Sequence, residues 1–331
     1  MSVYGDISAG TAAYVIVQLL VRAQPYLVLE KFLDPFIIPN NKTTTAYWRR
    51  YEALPEAMTP LTEGVTPVGT NITTTVYSAT LVQYGDFVPL TDVIADTHVD
   101  RVFAEVQDMI AEQAARTIEK IRYGILNGGT SVFYAGAPSV TARANVNTAF
   151  TLGLMRLCNR SLLRQNASPI TKVLAAGPDY NTTPVEAGYV YLIHPDLESD
   201  IRGIAGFINV KNYARPPISE AELGSIERTR FLVSTMAVPF ADAGYTTSTM
   251  LSTTGTHADV YPVLALAQHC AGAVPLKGQN SIVPMVVNPK PAQSDPLGQR
   301  GTVGWKSMQT AVILNQAFLG RCEVSATILT A

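Results

Sequence analysis

Charge is scarce in this chain. Only 15% of its 331 residues are Asp, Glu, Lys or Arg, against roughly 25% in ordinary soluble proteins. With 24 bases and 26 acids the net charge is −2, so the basic excess of a dedicated nucleic-acid binder is missing. A chain this long can bury a real core. Its surface must then be covered by Thr, Ser, Asn, Gln and backbone, or be buried against other subunits.

Cysteine is equally sparse. Cys158, Cys270 and Cys322 are odd in number, widely spaced and form no C-x-x-C; they read as reduced, buried thiols of a protein assembled in a cytosol. The first ten residues hold Asp6 and no Lys or Arg, unlike a signal peptide. The apolar run Ala12–Val21 is interrupted by Gln18 and followed by Pro25, too short to cross a bilayer. No membrane association is expected.

Catalytic and ligand-binding signatures are missing as well. His98, His194, His257 and His269 are scattered, with no pair at zinc-site spacing. There is no Gly-Lys dipeptide and so no Walker-type loop, and no Gly-x-Ser-x-Gly elbow. Gly298, Gly301 and Gly304 recur every third residue, but without a strand before and a helix after they read as a tightly turning loop. Asp92, Asp96 and Asp100 stand four apart and could share a helix face that holds a divalent cation; N-capping and dipole compensation are the favoured explanation. No enzyme activity, cofactor or metal is expected.

What the chain does have is one unusual succession of elements. Thr43–Tyr51 (TTTAYWRRY) is an extended leg, Leu54–Gly69 (LPEAMTPLTEGVTPVG) a Pro/Gly/Thr-rich tip, and Asn71–Asp92 a return leg rich in Thr, Val and Tyr. Prolines and glycines exclude helix from the tip. A leg of about twenty residues reaches roughly 65 Å, too far for one compact domain, so the arm needs a neighbour to lie on. A helix follows from Val99, with Val102, Phe103, Val106, Met109, Ile110, Ala114, Ile118, Ile121, Ile125 and Leu126 at 3–4 spacing and Gly128-Gly129 as its stop. About thirty residues would make a rod of roughly 45 Å.

The remainder mixes both element types. Thr11–Leu33 reads as a helix kinked at Pro25, and Thr148–Gln165 as a helix with arginines opposite its apolar face, stopped by Asn166–Pro169. Pro195–Ile204 starts another helix, with Asp196 near its N-terminus. Gly188–Ile193, Arg230–Thr235, Asp259–Ala267, Ile282–Val287 and the alternating run Thr302–Ile328 around Asn315-Gln316 read as strands. There is no internal repeat and no interdomain linker.

This order of N-terminal helix, long hairpin arm, spine helix and mixed remainder resembles the major capsid proteins of tailed bacteriophages, the Hong Kong 97-type fold. The segments Arg49–Pro67, Leu81–Asp92 and Asp295–Lys306 (DPLGQRGTVGWK) are similar to the podophage-type branch. One departure is Ala221-Glu222-Leu223-Gly224, where that branch often has Gly-Glu-Ile-Gly, so a different turn is expected there. The resemblance implies an α+β fold divided into residues 1–40 (N-terminal arm and helix), 41–92 (extended hairpin arm), 93–147 with 277–331 (peripheral domain with spine helix and terminal sheet) and 148–276 (axial domain).

It also implies an icosahedral shell of many copies, as pentamers and hexamers, enclosing double-stranded DNA held non-specifically, in a virion assembled in the bacterial cytoplasm. The implied partners are a portal, a separate scaffolding protein and, in some particles, a cement protein. The chain starts close to its N-terminal helix, so no large propeptide is expected. Candidate contacts to other copies are Trp48, Arg49, Arg50, Glu63, Asp92, Arg300 and Trp305; Trp305 reads equally as an anchor of the terminal sheet. Arg49-Arg50 beside Trp48 and Tyr51 would also suit base stacking and phosphate, but bidentate pairing with a neighbour's carboxylate is favoured. The alternatives are an encapsulin-type compartment shell and an unrelated soluble enzyme.

Overall fold

The computed structural model describes residues 27–38, 42–66, 69–91, 102–174, 184–213, 216–246, 249–275, 282–287, 289, 291 and 296–329. Most of the expected N-terminal helix, together with Asp92, Asp96, His98 and Asp100, lies outside them. Where that helix was expected to end, Leu29–Lys31 form a single 3₁₀ turn, followed by the short strand β1 (Asp34–Pro35).

The arm is only partly free. Strands β2 (Thr45–Tyr51) and β3 (Thr74–Thr80) pair antiparallel, with Trp48 opposite Tyr77. Residues 52–66 and 69–73 form no regular structure. The second half of the return leg, β4 (Val82–Thr91), instead pairs within the same chain along β13 (Arg300–Ile313). The free reach is therefore shorter than the sequence suggested. The Gly-rich stretch expected as a loop is the start of β13: a Cβ at Gly304 would come within 2.8 Å of the Asp86 carbonyl oxygen, so the missing side chain lets β4 approach.

The long helix is α1 (Val102–Leu126), about 37 Å of rod at 1.5 Å per residue. Strand β5 (Val132–Tyr134) and helix α2 (Leu152–Arg164) follow. Thr151 caps α2, its hydroxyl accepting from the Leu154 N–H, and Asn166 (φ 56°) ends it in the left-handed region. After β6 (Tyr189–Ile193), the expected helix at Pro195 is reduced to a 3₁₀ turn and the five-residue α3 (Glu198–Arg202). His194 caps this turn, its side chain accepting from the Asp196 N–H, and Asp196 lies in the first turn as expected. Strands β7 (Ile208–Asn209), β8 (Glu222–Ile226), β9 (Thr229–Val233), β10 (Tyr261–Leu266), β11 (Ala271–Pro275), β12 (Ile282–Val287) and β14 (Leu319–Val324) complete the fold. Residues 222–224, expected as a turn, are a buried strand with a bulge against β9.

Two main sheets result. One runs β1-β11-β13-β12, with β4 also on β13; the other runs β5-β14-β10-β6-β9-β8-β7. The terminal run thus feeds both sheets: β13 stays in the first, and β14 crosses to the second. Alternation along β6 and β10 sorts side chains to opposite faces of the second sheet. Tyr189, Tyr191, Ile193, Tyr261 and Val263 meet α2, whereas Val190, Leu192, Leu264 and Leu266 meet Leu29, Phe32 and the end of α1. Earlier on α1, Ile110 and Ala114 pack on Leu90, Val303 and Trp305. The helix is therefore the beam that joins both cores.

Candidate functional site: the arm and its footing

The arm stands on a small apolar footing. Ile38, Ala46, Leu81 and Val274 are buried together, with Trp48 packed against them. The Trp48 ring lies 5.3 Å from Phe36 and over Gly272, where a Cβ would come 2.8 Å from Trp48 Cζ2. Only glycine on β11 gives the indole this seat.

Beside it, Arg50 donates from Nη2 to Glu52 Oε1 at 2.9 Å, and its guanidinium lies 5.6 Å from the centre of the Tyr77 ring. The same carboxylate oxygen accepts from Thr75 Oγ1 at 2.6 Å. The Thr75 and Arg50 hydrogen bonds hold the Glu52 carboxyl below its usual range. Arg50 is thus engaged within its own chain, while Arg49 is exposed on the other face of β2.

The remaining candidates lie apart. Glu63 is exposed at the arm tip before Gly64, whose φ of 79° makes the turn. Arg300 is exposed at the start of β13, opposite Thr91. Trp305 is 4% exposed and donates to Gln113 Oε1 on α1 at 3.3 Å; its position is that of a packing anchor. Asp92 lies outside the described residues.

Two features escaped the sequence reading. One is how much apolar surface the arm presents: Tyr47, Tyr51, Met58, Leu61, Val65 and Ile72 are all more than half exposed, Met58 reaching 81%. The signal was available, since these residues alternate with Pro, Thr and Glu that cannot form a core. The other is Glu119, an acid between Ile118 and Ile121 in the apolar phase of α1. Its Oε1 accepts from the backbone N–H of Leu29 (2.8 Å) and Val28 (3.2 Å). Burial pushes its carboxyl up to about 7, against the opposing pull of those two N–H groups and Arg122.

Among the described residues no group of three His, Cys, Asp or Glu could bind a metal ion, and no helix is long and apolar enough to cross a membrane. The three cysteines are buried and unpaired. The arrangement offers surface: an arm with apolar side chains on an anchored base, beside a sheet braced by one long helix.

The family model described as "Phage capsid protein" matches residues 74–318, from β3 to just before β14. The chain belongs to the phage capsid protein family. Solved structures agree on the fold, which is of the Hong Kong 97 type. The capsid of Ralstonia phage GP4 superposes with a TM-score of 0.64 at 13% identity, over 89% of this chain and 88% of that one. The cyanophage Pam1 capsid gives 0.62 at 13% identity over 92% of both chains. The capsid of cyanophage P-SCSP1u gives 0.59 at 14% identity, over 91% and 89%. No curated protein matches the chain by sequence. This capsid protein is therefore a structural subunit of a virion, a major capsid protein whose copies build the shell.

Proposed function

We propose that the capsid protein closes its shell through the arm. Each copy lays its 45–80 hairpin and tip on a neighbouring copy and receives another arm in return. The exposed apolar residues of the arm carry this reading, Met58 and Leu61 at 81% and 79% above all. A two-stranded hairpin is marginal alone, and an exposed apolar surface of this kind marks an interaction site. Reciprocal contacts of modest strength then add up across the shell.

In this reading the seven-stranded sheet belongs to an axial body around the five- and sixfold positions, and α1 with the five-stranded sheet to a peripheral body. The boundaries proposed at residues 41, 93, 148 and 277 are crossed by β5 and β14, which lie in the seven-stranded sheet, and by β11, which lies in the five-stranded one. Arg49, Glu63 and Arg300 are the proposed polar contacts between copies. Double-stranded DNA is retained by confinement, in keeping with the net charge of −2. A portal, a separate scaffold and an optional cement protein are the further partners, and assembly takes place in the host cytoplasm.

Deleting Pro55–Pro67 tests the clasp. The variant should fold, with parental circular dichroism and thermal unfolding, yet yield no closed particles by negative-stain microscopy under conditions in which the parent assembles. Closed particles from the variant would exclude this function for the arm.

A further inference from the structure

The arm is chemically one-sided. Between Arg50 and Arg101 the sequence holds Glu52, Glu56, Glu63, Asp86, Asp92, Asp96 and Asp100, and no Lys or Arg at all. Glu52 is satisfied by Arg50 and Thr75, and Asp86 by Gln113. Glu56 and Glu63 at the tip are exposed, and their carboxylates have no partner among the described residues. They stand close in sequence to Met58 and Leu61, the most exposed apolar side chains of the arm. The tip therefore asks for a surface that is cationic and apolar at once.

Helix α2 offers one. Leu154, Met155, Cys158 and Leu162 face the core, which places Arg156, Arg160 and Arg164, each one turn apart, along the outer ridge. A groove of about 460 Å³ runs between this ridge and the β8–β9 turn, lined by Arg156, Arg160, Leu163, Glu186, Glu227 and Arg228. Both of its acids are engaged: Arg156 donates to Glu227 from Nε and Nη2, and Arg228 donates to Glu186 at 3.3 Å. Arg160 and Arg164 are exposed with no partner among the described residues. An adjoining hollow of about 510 Å³ shares Arg156 and Arg160 and adds Pro138 and Leu157, an apolar notch directly beside the unpaired charge.

We propose that the arginine ridge of α2 in one copy is the seat for the arm tip of another, with Glu56 and Glu63 pairing with Arg160 and Arg164 while Met58 or Leu61 enters the notch. This rests on the arm acting as a clasp, and adds where on the neighbour it lands. The ridge already binds carboxylates within its own chain, which the planar guanidinium fork suits. The unpaired bases of the ridge form a short patch on a chain whose net charge is −2, so a pair of protein carboxylates fits it better than a duplex. Exposed bases on α1 are less concentrated: Arg116 and Lys120 stand one turn apart without a third, Gly124 taking the next position.

Charge reversal tests the seat in the full-length chain. Glu56→Arg with Glu63→Arg should reduce the yield of closed shells by about tenfold, since the loss repeats at every copy. Arg160→Glu with Arg164→Glu should do the same, and the four changes together should restore most of the yield. All these positions are exposed, and unchanged thermal unfolding verifies folding. Parental yield from either reversed pair, or no recovery in the combination, overturns the seat; the Pro55–Pro67 deletion then reports separately whether the clasp itself stands. If the α2 reversal abolishes binding of the purified subunit to duplex DNA while the arm reversal leaves shells intact, the ridge is a nucleic-acid contact and the proposal falls.

Discussion

Glu119 sits where an apolar residue belongs in the helical pattern of α1, and its reason is local. The 3₁₀ turn at Leu29 has no side-chain cap of its own, so its N–H groups are satisfied from the helix beneath. A carboxyl at 4.5 in the unfolded chain and about 7 when folded makes stability depend on pH with a defined sign. Below about 4.5 it is protonated in both states and has no effect. Between 4.5 and 7 the native state keeps the proton that the unfolded chain releases, so stability falls as pH rises. Above 7 the loss is constant, on the order of 3 kcal/mol. Urea unfolding of the subunit between pH 5 and 8 should show this decline, and Glu119→Gln should flatten it. Trp305 makes a simpler claim. Buried against Ile110 and Val303, its replacement by Ala should lower unfolding stability by about 3–5 kcal/mol, whereas an exposed contact residue would lose little before assembly.

At the scale of elements, β4 shows why pattern alone stops short. Like β3 it carries Thr, Val and Tyr, and nothing in a periodicity separates a strand that pairs with its hairpin partner from one that pairs with residues over two hundred positions later. Gly304 marks the difference, because only a bare backbone admits β4 there. Gly304→Val should displace β4, costing about 1–3 kcal/mol and removing hydrogen-exchange protection from the amides of 82–91 while sparing β2 and β3. The helices were legible because 3–4 spacing, the Thr151 cap and the Asn166 stop are all local signals. The helix expected at Pro195 shrank to one turn of each kind because its start signal was real but no long apolar stripe followed. Of the site, the tip and Arg49 were readable as exposed. That Trp48 and Arg50 face their own chain was not, since Gly272 and Phe36 become neighbours of Trp48, and the Leu314 carbonyl oxygen an acceptor 3.5 Å from Arg50 Nη1, only through the sheet.

For the whole molecule, scarce charge and an exposed apolar arm belong to one account. A subunit whose surface is mostly destined for other copies needs few charges to stay solvated, and family membership supplies the reason such copies exist. Two cores joined by α1 carry the subunit, and the clasp proposed for the arm would link it to the next copy. An electron cryomicroscopy map of the assembled particle decides this most directly. The account predicts density for residues 45–80 of every copy lying across an adjacent subunit, with Met58 and Leu61 buried there. Arms folded back on their own subunit, or projecting into solvent with those side chains still exposed, would contradict it.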